Sequence, residues 1–423
     1  MSLAALVFLL AFGTGCILAF VRHPIFGLLT YVGVFYIHPP SRWWGQGLLH
    51  DVRWSLLAAG VTLAALALRR SDAQSIAIRR NRPFWAFIGF VLWIALQSFW
   101  ALDKEAHLEL RDIYVKFIFV IVMVVKCIET DEHLRHFLWA HVLGCFYLGW
   151  LAFTSYAGGR LDGVGGPGID ESNAAALQMV TGILIAASLF LVSSRNARIA
   201  LFVVIPIMVN GLVTTISRSG FLAAAVGGLA YIAFAPQRHR WTIRVLSVLA
   251  VVLFVMLTNQ TYWDRIATIK HGGEQIEGVD TGGGRLEIVA AQWRMFQGRP
   301  FGCGHMCTTV LSPSYIDASL LSGGARASHN TFMTMLVDHG IVGVTFYVAM
   351  LVWLVRSLLV MRQRVAGRSD FSSLVLPAIA GVVFAITVGD MFAQYPKFEA
   401  RIWFVSVVLV LLHFTERSAT GKR

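Results

Sequence analysis

Long apolar runs recur along the whole of this 423-residue chain, and they constrain its fold more than any other feature. In hydrocarbon, only helices and closed β-barrels can pair all their backbone N–H and C=O groups. Barrel strands alternate apolar and polar residues, whereas these runs are continuous and many approach the length that spans a bilayer. They lie at residues 3–21, 25–38, 54–68, 84–100, 113–128, 136–155, 173–193, 198–216, 221–235, 245–258, 333–355, 371–389 and 400–414. The sequence therefore predicts an all-α polytopic integral membrane protein.

Composition and charge agree with this class. A mean hydropathy of +0.67, with 57% hydrophobic and 14% charged residues, excludes an ordinary soluble protein. The net charge of +12 comes largely from short basic loops between the runs, which the positive-inside rule assigns to the cytoplasm. These loops are residues 69–83, 193–198, 236–244 and 356–368 and the C-terminal tail. The charge therefore requires no nucleic-acid partner.

The number of spans depends on the first forty residues. The segment FVRHPIF (20–26) is either a turn between two spans or a proline break within one bent element. Merging the two runs gives about twelve spans with both chain ends in the cytoplasm, and we prefer this count. We expect one transmembrane domain over residues 1–423.

One outward loop, residues 259–332, is far longer than the others. A glycine-rich tract (271–284) precedes RLEIVAAQWRMFQGRP, in which Leu286, Val289, Ala290, Trp293 and Phe296 have helical spacing. Gly298 and Pro300 are expected to end this helix. The large loop is thus predicted to contain short helices inserted between spans.

Two of the five cysteines, Cys303 and Cys307, lie in this outward loop, where a disulfide is permitted. A Cys-His-Cys metal site is the alternative, but no fourth ligand is evident. Cys16, Cys127 and Cys145 lie in or beside apolar runs and are expected to be small buried hydrophobic residues.

Basic residues at the outward ends are the candidates for chemistry. Arg160, Arg218, Arg285 and Arg326 each stand at a Gly- or Ser-rich break next to a predicted helix start. A guanidinium beside free N–H groups at a helix N-terminus suits an anion, and phosphate above all. The alternative is that each arginine only reaches the headgroup region. Lys116, a turn inside its span, has the same two interpretations.

His329 follows Ser328, a plausible N-cap, and would lie in the first turn of the next helix. There the helix dipole disfavours the imidazolium, so the neutral ring could accept a proton. A polar capping residue without catalytic role is the alternative. Asp338 lies half a helical turn out of phase with His329 and cannot orient it, so Asp338 and His339 are expected to serve helix packing or an interface contact.

Several familiar motifs are missing from the sequence. It has no Asp-x-Asp pair for a metal-dependent nucleotide-sugar transferase, no P-loop, no nucleophile elbow and no zinc-spaced His-Glu motif. The polar residues gather at the outward ends of the runs, whereas transporters usually bind substrate at the midplane. This pattern favours an enzyme at the membrane surface.

Three segments, in this order, resemble the O-antigen ligase and polymerase superfamily. They are SRSG (217–220), the segment 285–304 with its Arg, Trp and Pro-x-Gly-x-Gly, and the segment 328–343. In the last, His-Asn is followed by an acidic residue and two glycines, here His329, Asn330, Asp338, Gly340 and Gly343. Together with about twelve spans and one long loop, the resemblance covers most of the chain.

The resemblance implies a lipopolysaccharide O-antigen ligase, or the similar O-glycosylation ligase group, in the bacterial inner membrane with its active site facing the periplasm. Such enzymes transfer a glycan from undecaprenyl diphosphate to lipid A–core, with inversion and without metal or other cofactor. Arg218 and Arg285 would then hold the diphosphate and His329 would act at the acceptor hydroxyl. The further candidates for binding diphosphate or glycan are Arg160, Asn330, Arg326 and Lys116.

Three other functions stay open from the sequence. An O-antigen polymerase would transfer the glycan to another carrier-linked glycan, and a protein O-oligosaccharyltransferase would use a Ser or Thr side chain. A transporter of lipid-linked glycans belongs to a different class, and the position of the polar residues at one face disfavours it.

Overall fold

The computed structural model describes residues 2–69, 76, 78, 81–156, 158–258, 260, 263, 285–321, 324–394 and 396–419. These residues form α-helices joined by loops and short 3₁₀ turns, with no regular strand among them. The all-α prediction is confirmed for this part of the chain. The glycine-rich tract 271–284 lies outside the described residues.

All thirteen predicted runs are helices, with bounds shifted by up to nine residues. The helices before the long loop are α1 Leu3–Val21, α2 Ile25–Ile37, α3 Trp54–Leu68, α4 Arg82–Gln97, α5 Lys104–Cys127, α6 Asp131–Ser155, α7 Ser172–Val192, α8 Arg195–Thr214, α9 Arg218–Phe234 and α10 Arg240–Leu257. Within and after it are α11 Arg285–Gly298, α12 Cys307–Tyr315, α13 Thr331–Arg364, α14 Phe371–Gly389 and α15 Glu399–Ala419. Helix α11 was predicted within the long loop and ends at Gly298 as expected. Helix α12 was not predicted.

Seven described helices, α1, α6, α7, α8, α10, α13 and α14, are long and apolar enough to cross a membrane. Three shorter apolar helices, α3, α4 and α9, accompany them. The chain is thus a helical protein with several candidate spans, and the count of about twelve stays a prediction.

The first two helices form an antiparallel hairpin. A Cβ on Gly15 of α1 would lie 1.9 Å from Thr30 Oγ1 of α2, and one on Gly27 would lie 3.2 Å from the Cβ of Ala19. Since these pairs run in opposite directions along the chain, residues 20–26 make a turn between two helices. The preferred merging of residues 3–38 into one bent element is therefore wrong.

The centre of the bundle is formed by α7 and α14, whose apolar stretches are 72% and 83% buried. Helices α9 and α14 approach each other closely, because a Cβ on Gly227 would lie 2.9 Å from the carbonyl oxygen of Gly381. Small residues allow such backbone contact, which replaces the hydrophobic driving force that helices lack in lipid.

A small cluster formed by α11, α12 and the start of α13 lies beside the main bundle. Its buried residues are Ile288, Ala291, Met295, Cys303, Cys307, Ile316 and Val337. Cys303 and Cys307 form a disulfide, as the sequence permitted. The apolar face expected for α11 is not the packed one, since Leu286 is 87% and Trp293 49% exposed. The packed face is offset because α12 and the disulfide lie on the other side of the helix.

Candidate active site

The side chain of Asn173, near the start of α7, joins two of the predicted basic segments. Its Oδ1 accepts hydrogen bonds from Arg160 Nη2 at 2.9 Å, from Ser217 Oγ at 2.8 Å and from Ser219 Oγ at 3.3 Å. Ser217 is the N-cap of α9, and its Oγ accepts from Gly220 N. The loop that carries Arg160 and the break that carries Arg218 therefore lie together. The sequence analysis did not identify Asn173 as the residue that joins them.

Arg218 is the first residue of α9 and is partly exposed. The chain turns sharply before it, with Ile216 in the left-handed region at φ 46°. This turn brings the guanidinium to a helix N-terminus, where the N–H groups and the dipole favour an anion.

The same end of the bundle includes the segment after α14. A Cβ on Gly168, in the loop of Arg160, would lie 3.6 Å from the carbonyl oxygen of Lys397. Lys397 Nζ lies 2.9 Å from Glu109 Oε1 at the start of α5. Hydrogen bonding and charge attraction from Lys397 lower the pKa of the Glu109 carboxyl from its ordinary value. The loop 158–171 and residues 396–398 thus lie side by side.

Residues 390–393 also fasten the N-terminus of α13. Thr331 N donates to the carbonyl oxygen of Asp390 at 2.7 Å, and Thr331 Oγ1 donates to that of Ala393 at 2.9 Å. Asn330 Nδ2 donates to the carbonyl oxygen of Met391 at 3.3 Å. Since α7, α9 and α13 all begin here, three helix N-termini meet at one end of the bundle.

The predicted cap of α13 is wrong by two residues. Asn330 is the N-cap, and its Oδ1 accepts from Met333 N at 3.1 Å. Ser328 Oγ instead donates to the carbonyl oxygen of Asn330 at 2.8 Å. His329 therefore precedes the cap, with φ 47° and an exposed side chain, rather than occupying the first turn. Both ends of the Asn330 amide are engaged in holding this helix start, a structural use that the sequence interpretation missed.

The register of α9 against α14 sets the depth of Arg218. The two helices touch at Gly227 and Gly381, and nine residues towards the shared end lead to Arg218 on one and Asp390 on the other. At about 1.5 Å per residue, each lies roughly 14 Å from the glycine contact. Arg218 is therefore level with the residue that holds Thr331, two positions after His329.

At this level lies a buried ion pair that sequence analysis did not identify. Arg401 Nη2 donates to Asp390 Oδ1, and Tyr347 Oη donates to Asp390 Oδ2. Asp390 is 1% and Arg401 9% exposed. A charge buried in this way requires its partner. The available signal was two ionisable residues close to apolar runs, in GDMFAQYPKFEAR (389–401).

The helix that begins with Arg285 packs against the segment before His329. Gln292 Nε2 of α11 donates to Ser328 Oγ at 2.7 Å. Arg285 is seven residues before Gln292, or about 10 Å along the helix. The Gln292 contact thus joins α11 to the segment before His329. Arg326 N donates to Ser312 Oγ at 2.8 Å, and its buried Nε has no hydrogen-bond partner in the described structure.

The acidic residue and the glycine after His329 hold a break in α13. Gly340 is non-helical, with φ 67° and ψ −159°, and the loop 300–304 fills the gap. Ile341 N donates to the carbonyl oxygen of Pro300 at 2.9 Å, and Gly304 N donates to that of Asp338 at 2.9 Å. The break changes the course of α13 and so sets the orientation of the half-helix that follows His329.

We call residues 300–304, 338–341 and Gln97 the clasp, and side chains add further hydrogen bonds to it. Gln97 Nε2 donates to the carbonyl oxygens of Phe301 and Asp338 at 3.0 and 3.1 Å. The Asp338 carboxylate accepts from Met306 N at 3.1 Å and Thr308 N at 3.3 Å. The expectation that Asp338 serves packing is confirmed.

Lys116 lies in another part of the bundle. It is exposed and lines a groove between α2, α3 and α5 together with Arg53 and Phe119. None of the hydrogen bonds described above joins it to the arginines. The sequence gave no sign of this groove.

A different titratable cluster lies at the opposite end of α2. His23, Glu129 and His133 place their ligand atoms within 4.8 Å of one another. However, Nδ1 of His23 accepts from Ile25 N and Nδ1 of His133 accepts from Glu129 N, so in each neutral ring Nε2 carries the proton. Arg69 also lies 3.2 Å from Glu129. The arrangement suits hydrogen bonds to a carboxylate better than a metal ion.

Residues 203–348 match the model of the O-antigen ligase family, about a third of the chain, from α8 through the first half of α13. The match includes Arg218, Arg285, His329 and the clasp residues of α13. It supports membership of the O-antigen ligase superfamily. No curated protein matches the chain.

Proposed function

We propose, on the premise that the chain belongs to the O-antigen ligase superfamily, that it is a lipopolysaccharide O-antigen ligase. It would transfer an O-antigen glycan from undecaprenyl diphosphate to lipid A–core at the periplasmic face of the bacterial inner membrane. The transfer would proceed with inversion and without metal, and the site would be the end of the bundle where α7, α9 and α13 begin.

One observation carries the proposal. Arg160 and the Arg218 break meet on Asn173, and the adjoining segment 390–393 holds the helix start next to His329. Cations at helix N-termini suit a diphosphate leaving group, because they stabilise the negative charge that develops on it. An exposed imidazole at the same level suits a hydroxyl that must lose a proton.

In the proposed reaction, the acceptor hydroxyl attacks the anomeric carbon of the donor sugar from the face opposite the diphosphate. His329 takes the hydroxyl proton, which is worth about 10²–10⁴-fold in rate for such general bases. The bond between the anomeric carbon and the diphosphate oxygen breaks, and the electron pair leaves with undecaprenyl diphosphate. Arg218, Arg285 and Arg160 stabilise this leaving group, and the two membrane-held substrates are aligned at one surface.

The activity is tested with purified protein, lipid-linked glycan and lipid A–core in detergent containing EDTA. Glycan-linked lipid A–core is the expected product. Longer carrier-linked glycan in place of it would identify a polymerase, and transfer to protein would identify an oligosaccharyltransferase. Transport of the lipid across vesicles without any transfer would refute an enzyme altogether.

Variants test the site separately. Arg218→Ala, Arg285→Ala and His329→Ala should each abolish transfer while expression and melting temperature stay unchanged. The matched control is Arg195→Ala, because Arg195 is also the first residue of a helix after a serine N-cap but is exposed at the start of α8. Full activity in any two of the three site variants would show that the assigned centre is wrong.

A further inference from the structure

A groove of about 700 Å³ opens at the outer ends of α2, α3 and α5. Its inner walls are apolar, including Leu63 of α3 and Val120 and Met123 of α5. Its mouth carries basic side chains, and the loop residue Pro167 forms one edge.

Each of the three helices contributes a stripe at helical spacing that runs from a basic residue into the apolar interior. On α5 the stripe is Lys116, Phe119, Val120 and Met123, and before and along α3 it is Arg53, Leu56, Gly60 and Leu63. On α2 it runs from His38 through Val34 to Tyr31. Residues three, four and seven apart share one face of a helix, so all three stripes face the same groove. The combination suits an amphiphile with an anionic head at the mouth and an apolar chain inside.

The charge at the mouth favours an anion. Lys116 and Arg53 are fixed cations, and the one carboxylate, Asp51, lies 3.1 Å from Nδ1 of His50. Without these two cations, the groove would not distinguish a phosphate lipid from any other apolar molecule.

The volume limits the chain that can enter. At about 30 Å³ for a group the size of a water molecule, a space of this size holds roughly twenty such groups, or about four isoprene units. One chain fits, whereas the several acyl chains of a lipid A do not. Ala59 and Gly60 leave room on the α3 wall for methyl branches, since a Cβ on Gly60 would have no atom within 4 Å.

The loop 158–171 connects this groove with the arginines of the candidate active site. Gly166 packs on the His38 ring, and Arg42 Nη2 donates to the carbonyl oxygen of Val164 at 2.8 Å. Pro167 lines the groove, and Arg160 at the start of the same loop donates to Asn173 beside Arg218. One short loop thus contacts both the groove and the Asn173 cluster beside Arg218.

From this juxtaposition we infer that the groove holds the proximal isoprenoid chain of the lipid-diphosphate donor. Lys116 and Arg53 would lie where the chain joins the diphosphate, and Arg160 and Arg218 would bind that diphosphate on the other side of the loop 158–171. The inference rests on the proposed function, because it assigns the donor to this groove and leaves the acceptor outside it. The chain enters from the lipid between α3 and α5, where Leu56 and Phe119 are 56% and 47% exposed.

Glycine substitutions test the inference without disturbing the fold. Gly60→Trp would fill the groove, and Gly13→Trp is the matched control, because a Cβ on Gly13 in α1 also has open space around it. Binding of undecaprenyl diphosphate to the full-length protein in nanodiscs is measured by native mass spectrometry, with inorganic diphosphate and phosphatidylglycerol in parallel. Melting temperatures confirm that both variants are folded.

Gly60→Trp should weaken binding of undecaprenyl diphosphate at least tenfold and leave inorganic diphosphate unaffected, whereas Gly13→Trp should change neither. Lys116→Glu should weaken the lipid about as strongly. Unchanged lipid binding in Gly60→Trp overturns the inference, as does equally tight, Gly60-dependent binding of phosphatidylglycerol. The failure of this inference can be distinguished from the failure of the proposed function. If Gly60→Trp leaves lipid binding unchanged but Arg218→Ala still abolishes transfer, the protein is a ligase whose donor chain binds elsewhere.

Discussion

The break in α13 gives the sharpest quantitative prediction, through Gly340→Ala. Gly340 has φ 67° and ψ −159°, a region that is essentially restricted to glycine and costs other residues about 1–3 kcal/mol. A Cβ there would also lie 2.3 Å from the carbonyl carbon of Phe301 and 2.5 Å from the carbonyl oxygen of Pro300. Backbone atoms cannot rotate away, so overpacking adds roughly 1–3 kcal/mol. The expected loss of folding stability is about 2–6 kcal/mol.

Two other glycines separate these contributions. Gly367 has φ 76° but open space around it, so Gly367→Ala should cost only the left-handed strain, about 1–2 kcal/mol. Gly13 lies within α1 with open space around it, so Gly13→Ala should be neutral or should gain up to about 1 kcal/mol of helix propensity. Comparison of the three variants therefore isolates the clash between α13 and the loop 300–304.

Equilibrium unfolding in detergent micelles measures the three stabilities, and transfer assays measure function. We expect Gly340→Ala to be the least stable and to lose activity, because the half-helix that follows His329 would change direction. The reasoning is refuted if Gly340→Ala is as stable as Gly367→Ala, since the clasp would then accommodate the added methyl group without loss of folding stability.

Two further predictions concern the start of α13. Arg401→Met should destabilise the protein by about 3–5 kcal/mol because it leaves the Asp390 carboxylate buried without a partner, and adding Asp390→Asn should restore part of this loss in the same unfolding assay. Without such recovery, the two side chains would not act as a pair. Asn330→Ala should cost about 1 kcal/mol of stability through loss of the N-cap, whereas Asn330→Ser should keep both stability and transfer activity. Loss of transfer in a stable Asn330→Ser variant would instead indicate that the amide binds substrate.

Apolar runs and helix breaks were sufficient to predict every described α-helix except α12. Every run from residues 3–21 to 400–414 is a helix, and α11 ends at Gly298 as its Gly and Pro signals indicated. Local sequence suffices here because each helix satisfies its own backbone, whatever its neighbours are. The hairpin of α1 and α2 could not be predicted in the same way, since Pro24 allows either a kink or a turn and the contact of Gly15 with Thr30 decides between them.

The candidate site was only partly predictable. The arginines and His329 were identified from residue type and from their positions beside helix starts, and the pairing of Cys303 with Cys307 was recognised as possible. Asn173, Gln97 and Arg401 were missed because a buried amide or ion pair has no local pattern that distinguishes it from an exposed one. The packed face of α11 was also predicted wrongly, because both faces of this helix contain apolar residues and the local pattern does not distinguish them.

The sequence alone determined that the chain is a helical membrane protein with its candidate anion-binding cations next to helix starts, because hydrophobicity and helix capping depend on neighbouring residues. Only the tertiary structure decided which of those cations meet. Arg160 joins Arg218 through Asn173, Asp390 fastens the helix start beside His329, and Lys116 lies on a separate groove. These pairings depend on the register at which distant helices pack, as at Gly227 and Gly381, and no local segment encodes that register.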